Sequence, residues 1–350
     1  MARLRRTMTG VAAGALLALG LTGGMAQSAT VPPGHAAITI TSNADFAACA
    51  CVTGGSGTAS DPYVIGPWTI PAESTGGWAL KVDNTSGAVT AYFRVAGIVT
   101  TYNDLDTADS VVWIVKVTRQ TSIENVTASF DGVGIRLDSD ANVSLNGLEL
   151  NRLEGDGVQV NSSTNISIVN SKLKTEQSGF HAENSSFIQI GVGCKSACND
   201  WTYDNWRGVW LHNTHDVTAR YLTTAAEDTT AMYLDGSYTY NVDIGNSTAN
   251  SSGSICETGH VGATGLVTDT DGGIRLVNGA HDNYIHDVTA HGNVAMDIAS
   301  GGDGFWLNPC TGLQVPISPT TPGMGGGNRF ANLCYSLTNI PTLPPSTCRT

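Results

Sequence analysis

Charge is scarce in this sequence of 350 residues: Asp, Glu, Lys and Arg together make up 13%. Cations are scarcer still, with 17 Lys and Arg against 30 Asp and Glu, for a formal net charge of −13. A chain this acidic is a poor partner for nucleic acid or an anionic membrane, because both are bound by neutralising phosphates. It also repels polyanions unless calcium or a local basic patch intervenes. No apolar run reaches the roughly 20 residues needed to span a bilayer, so no membrane-spanning helix is expected. Strong helix formers are thin after the first thirty residues, while Gly numbers 41 and Asn, Ser and Thr are abundant. That is the composition of an all-β protein with many turns.

The chain starts with Arg3, Arg5 and Arg6, continues with an apolar, uncharged stretch from Val11 to Leu21, and then offers small residues from Ala26 to Ala29. Positive, apolar, small is the order of a secretory signal peptide, expected over residues 1–29. Its removal takes away three arginines and no acid, which moves the formal charge from −13 to −16. The expected destination is extracellular. Eight cysteines, an even number, fit disulfides in an exported chain. Cys194 with Cys198 would close a small loop and Cys334 with Cys348 would pin the tail, but the full connectivity is open.

A unit of about 22 to 24 residues recurs, the length of one turn of a β-helix. Its clearest line is small, apolar, outward, apolar, polar. The copies run from Gly134 to Asp138, Gly157 to Asn161, Gly179 to Glu183, Gly208 to His212, Ala231 to Asp235, Gly273 to Val277 and Gly304 to Asn308. Alternation of apolar residues is the strand period of two. Ile135, Val158, Phe180, Val209, Met232, Ile274 and Phe305 form one inward column; Leu137, Val160, Ala182, Leu211, Leu234, Leu276 and Leu307 form the other. No copy can bury its apolar face alone, whereas stacked copies bury a continuous core. A second strand follows each first one, opened by Asn or Asp at positions such as Asn142, Asn165, Asp216 and Asn241. These residues tolerate left-handed backbone and can bond up and down the stack. The sequons at Asn125, Asn142 and Asn165 are therefore read as turn ladders.

The fold expected is a single-stranded right-handed parallel β-helix over residues 77–308, after an N-terminal cap at 30–76 and before an irregular capping tail at 309–350. Insertions at 193–206 and 250–271 would wall a binding face. These rungs resemble the parallel β-helix repeats of the pectate-lyase-like carbohydrate-binding and sugar-hydrolase superfamily, which includes the copper-associated NosD-like proteins. The stretches from Ile38 to Phe46 and from Gly57 to Ile65 look like the N-terminal entry of NosD-like exported proteins. The resemblance implies a fold more than an activity, because this fold hosts many chemistries. The Asn-Thr-Asp and Gly-His-Gly motifs of polygalacturonases are missing, as are the Arg-based signature and acidic calcium cluster of pectate lyases.

Stacking converts the repeat into a map. The outward column of the first strand is Arg136, Gln159, His181, Trp210, Tyr233, Arg275 and Trp306. Beside it runs Asp138, Asn161, Glu183, His212, Asp235, Val277 and Asn308. Aromatic faces stack on sugar rings while carboxylates and amides bond hydroxyls, so the first column is the expected substrate-binding face for an extracellular polysaccharide. Glu183 and Asp235 lie two rungs, about 9.6 Å by backbone spacing, apart; if the chain is an enzyme they are the expected acid/base pair, since side chains could bring the carboxyls into the roughly 6.5 to 9.5 Å of an inverting glycosidase. His212, between them, would relay or tune a proton. In a lyase or epimerase His212 or Tyr233 would be acid or base, with Arg136 or Arg275 on a uronate carboxylate. Whether the chain turns over its glycan or only holds it stays open, with copper handling of the NosD-like kind as a further alternative. Against copper, the chain has no His-x-His and no Met-rich segment. Asp269 and Asp271 are the candidate ligands for calcium, which favours hard oxygen donors; Asp156 and Asp303, each in Gly-Asp-Gly, read first as turns. The protein is expected to act as a monomer.

Overall fold

The structure, a computed structural model, describes residues 32–71, 77–101, 109–129, 132–193, 201–203, 207–225, 229–250, 272–290, 293, 296–301, 305–308, 313–316, 322–336 and 338–348. For residues 101, 201, 203, 296–297, 305–308 and 313–316 the backbone alone is described.

The chain coils into a parallel β-helix. One sheet holds ten strands in chain order: Ile38–Ile40, Trp78–Asp83, Ser110–Val115, Val133–Asp138, Val158–Asn161, Ser178–Glu183, Arg207–His212, Thr230–Asp235, Gly272–Val277 and Met296–Ser300. Every neighbouring pair in it is parallel. Between its strands the chain returns through a second sheet, most rungs giving it two short strands, as Ala141–Asn146 and Glu149–Leu153 do. Crossovers between parallel strands of one sheet are almost always right-handed.

Register follows from burial. Ile135 pairs with Val158, Val158 with Phe180, Phe180 with Val209, Val209 with Met232 and Met232 with Ile274. All six lie in the core, as do Leu137, Val160, Ala182, Leu211, Leu234 and Leu276 two residues on. A slip of one residue would turn each column out to water. The leading position stays small because a side chain there meets the next rung: a Cβ on Gly157 would sit 2.6 Å from the Gly179 carbonyl oxygen.

The turns are held by two ladders. At one, buried Asp140, Ser163, Ser185, Thr214 and Thr239 each accept from a backbone N–H of the preceding rung, at 2.7 to 3.3 Å. At the other, Asn142, Asn165, Asp216, Asn241 and Asp282 take positive φ of 52° to 60°. The Asn165 amide donates to Asn142 Oδ1 at 2.6 Å, and Asn241 donates to Asp216.

The last expected copy is corrected. The strand paired beyond Gly272–Val277 is Met296–Ser300, with Ile274 opposite Ile298 and Arg275 opposite Ala299. Phe305–Asn308 instead forms an antiparallel hairpin with Leu313–Pro316. A hairpin strand shares the period of two, so alternation alone did not separate the two segments. Pairing does: Ile298, 24 residues after Ile274, takes the next place in the column.

At the start, the helix Asn43–Ala48 is capped by the Ser42 side chain and buries Phe46 against Tyr63 and Phe93. At the end, Arg329–Ala331 adds to Tyr284–Thr289 and a Cys334–Cys348 disulfide ties the tail down as expected. A second disulfide joins Cys49 and Cys51. Cys194 and Cys198 lie outside the described residues.

Candidate functional site

Arg136, Gln159, His181, Trp210, Tyr233 and Arg275 occupy successive rungs in one register, and alternation turns each away from the core columns. Trp113 extends the column upstream and Ala299 ends it downstream. Trp306 does not belong to it, for the reason given above. The neighbouring column, Asp138, Asn161, Glu183, His212, Asp235 and Val277, is aligned as well.

The column is not an open stripe along its whole length. Arg136, Gln159, Asn161 and Glu183 are partly exposed. Among the rest, His181 is 7% exposed, Tyr233 6%, and Arg275, Val277 and Ala299 0%, while Trp210 and His212 keep part of their surface in solvent. Tyr233, Val277 and Ala299 are buried without belonging to the central core.

The open half is a cation and aromatic cluster. Lys81 lies over the Trp113 ring at 3.9 Å and Arg136 over the same ring at 4.7 Å. Asp138 holds the cluster, accepting from Arg136 Nε at 2.8 Å, Trp113 Nε1 at 2.7 Å and Asn161 Nδ2 at 2.8 Å. Arg136 is thus pinned and stacked before any ligand arrives.

At the boundary stands a histidine pair. The His181 ring lies 4.0 Å from Trp210 and nearly parallel to it, at 4°. Its Nδ1 is 2.9 Å from Asp156 Oδ2, while Asp156 Oδ1 accepts from the Ser178 N–H at 2.9 Å. A neutral imidazole donating from Nδ1 leaves its lone pair on Nε2. Among the described residues Nε2 is buried without a hydrogen-bond partner, as is the Trp210 indole nitrogen. Arg207 lies 4.4 Å from the Trp210 ring and 4.8 Å from that of Tyr233. Asp156 is a residue whose role the sequence concealed: Gly-Asp-Gly reads as a turn, yet this side chain is 4% exposed and orients a histidine one rung away.

His212 forms the second pair. Its Nδ1 is 3.0 Å from Asp235 Oδ2, and Asn278 Nδ2 donates to Asp235 Oδ1 at 2.6 Å. Asn213 Nδ2 approaches His212 Nε2 at 3.1 Å. Both oxygens of Asp235 are engaged, which suits it to orienting His212. Glu183, one rung before His212, accepts among the described residues only a long 3.4 Å bond from Asn184 and keeps part of its surface in solvent. The register therefore brings together a held histidine, its orienting carboxylate and a freer carboxylate.

Asp269, Asp271 and Asp303 lie outside the described residues, so the calcium reading falls there too. Among the described residues no group of three or more His, Cys, Asp or Glu is arranged to hold a metal ion, and no helix is long and apolar enough to cross a membrane.

No family model matches the sequence, and no curated protein matches it. Solved structures share its coil. The catalytic domain of a GH87 α-1,3-glucanase in complex with nigerose matches at 12% identity and a TM-score of 0.41, over 81% of this chain and 64% of that one. The A-module of the Azotobacter vinelandii mannuronan C-5 epimerase AlgE6 matches at 14% identity and 0.40, over 78% and 79%. A pectate lyase from Bacillus sp. N165 in complex with trigalacturonate matches at 14% and 0.34, over 90% and 89%. The chain thus spans just under two thirds of the glucanase domain's length.

Proposed function

We propose that this is an exported carbohydrate-active β-helix protein that holds an extracellular polysaccharide along the first-strand face. The observation that carries the reading is the in-register set Glu183, His212 and Asp235 beside the stacked His181 and Trp210. Glu183 and His212 are the proton-transfer pair: Asp235 fixes the His212 ring, and Glu183 is the carboxylate left free to meet a sugar hydroxyl or a water. Arg136 and Gln159, on the open side, bond the glycan. The charged and apolar order of residues 3–29 supports export, and two disulfides suit an oxidising compartment.

A second reading, a module that binds without turnover, is favoured by the saturation of Asp235 by His212 and Asn278. One experiment separates the two. Purified wild type, Glu183→Gln and Asp235→Asn are tested on neutral and acidic polysaccharides, measuring retention in affinity electrophoresis and, separately, new reducing ends and unsaturated products. Catalysis through this set predicts that both substitutions cut turnover about 100-fold or more while retention survives. Turnover that survives both substitutions overturns the assignment; retention without turnover in the wild type supports the binding module.

A further inference from the structure

A groove of about 560 Å³ opens where the second sheet begins. That is the size of a small-ligand or oligosaccharide site. It lies in a chain with 30 acidic residues, yet none of them lines it, and its one charged residue is Arg119. The Arg119 guanidinium sits 5.5 Å from the Tyr92 ring centroid, and among the described residues no carboxylate pairs with it. This is the local basic patch that a polyanion needs on an otherwise repelling molecule.

Register adds an independent observation. Tyr92, Gln120, Asn142, Asn165 and Phe187 share one column, since the residues after the first three and last two pair rung to rung. Four steps at about 4.8 Å put its two aromatic members roughly 19 Å apart, and beyond Phe187 the column continues to Asp216. Phe187 stands where the ladder elsewhere has Asn or Asp. It carries their left-handed backbone, φ 54°, and is 57% exposed, with its ring edge-on to His215 at 6.5 Å. A bulky residue at positive φ is a backbone outlier, and strain of this kind points toward a function at the site. Phe187 also breaks the amide chain in which Asn165 donates to Asn142 and Asn142 to the Thr118 carbonyl.

We infer that this column is a second glycan-binding track, selective for acidic oligosaccharides. Arg119 takes a uronate carboxylate, the amides of Gln120, Asn142 and Asn165 take ring hydroxyls, and a sugar ring lies on Phe187. The track goes beyond the function proposed above and does not depend on chemistry at Glu183.

The test is calorimetric titration with tetragalacturonate and with uncharged galactotetraose. The wild type is expected to bind the acidic probe and not the neutral one. Arg119→Gln is expected to weaken the acidic probe about tenfold or more, the scale of one charged hydrogen-bonded contact. Phe187→Asn is expected to weaken binding while raising the melting temperature, because Asn suits the backbone and restores the amide ladder. Equal binding of both probes, no binding by the wild type, or unchanged affinity in either groove variant overturns the track. A melting temperature lowered by Phe187→Asn overturns it as well, since Phe187 is then a structural residue.

Discussion

Asp140 offers the sharpest quantitative test of how the rungs are held. Its side chain occupies the buried hydroxyl ladder where later rungs use Ser163, Ser185, Thr214 and Thr239, and it is 2% exposed. Oδ1 accepts from the Val117 N–H at 2.7 Å, whereas Oδ2 is buried with no partner among the described residues. Burial, partly offset by backbone N–H donors and reinforced by nearby Asp138, pushes its pKa up to about 8. The neutral acid is the form the fold accepts. The stabilising contribution of that form is complete below the unfolded-state value of 3.8 and declines as pH rises to about 8. In that window each pH unit costs about 1.4 kcal/mol, so moving from pH 5 to pH 7 costs about 2 to 3 kcal/mol. Asp140→Asn keeps the acceptor for Val117 and cannot ionise. Its amide nitrogen is left unpaired at a pH-independent cost of about 1 to 3 kcal/mol. Urea unfolding of both proteins at pH 5, 6, 7 and 8, followed by circular dichroism at matched m-values, gives the difference in stability at each pH. Other titrating groups cancel in that difference. The variant should gain on the wild type by about 2 to 3 kcal/mol between pH 5 and 7 and level off above pH 8. Parallel profiles, or a gain by the wild type as pH rises, would refute the reasoning.

Three further expectations follow from particular contacts. Asp156→Asn replaces the carboxylate that faces His181 Nδ1 and should loosen the imidazole from its stack on Trp210, read as a change in tryptophan fluorescence; unchanged emission would show that Asp156 does not orient the ring. Reducing Cys334–Cys348, or replacing both by Ser, frees a loop of 14-residue separation, which costs up to about 3 kcal/mol. The loss should be local: the Cys334 N–H, bonded to the Val288 carbonyl at 2.9 Å, loses hydrogen-exchange protection while amides of Val158–Asn161 do not. Gly157→Val should prevent native stacking altogether, because its Cβ meets backbone rather than a flexible side chain; a folded variant with an unchanged circular dichroism spectrum would contradict that.

The columns were legible because a solenoid makes sequence period and spatial neighbourhood the same thing. Ile135, Val158 and Phe180 are 22 or 23 residues apart and one rung apart, so alternation plus spacing fixes both which way a side chain points and what lies above it. Alternation says nothing about what lies over the outward side. Tyr233 and Arg275 point away from the core and are still buried. A hint existed in Val277, an apolar residue in a column otherwise polar: it is 0% exposed. Asp156 was obscured for another reason. Its role depends on a partner 25 residues away, and flanking glycines give the same local signal as a turn. Phe187 carried a readable clue, an aromatic in an Asn position, whose meaning needed its exposure and positive φ.

The position of Glu183 and His212 along the solenoid bears on what this face can do. A proton-transfer group works best where water is sparse enough to strengthen electrostatic contacts, yet a polymer must reach it. Upstream, Arg136 and Gln159 remain accessible, on a floor fixed by Trp113 and Asp138. Downstream, Tyr233, Arg275 and Ala299 are sealed. Glu183 and His212 stand at the join, with side chains partly in solvent and the buried Tyr233 and Asp235 beyond them. Under the function proposed above, a polysaccharide laid along the open rungs would run its end against the buried rungs beyond His212. That geometry favours action at or near a chain terminus over cuts at random along the polymer. With an end-labelled oligosaccharide ladder, terminal-unit products appearing first would agree with it, and a broad early spread of internal fragments would rule it out.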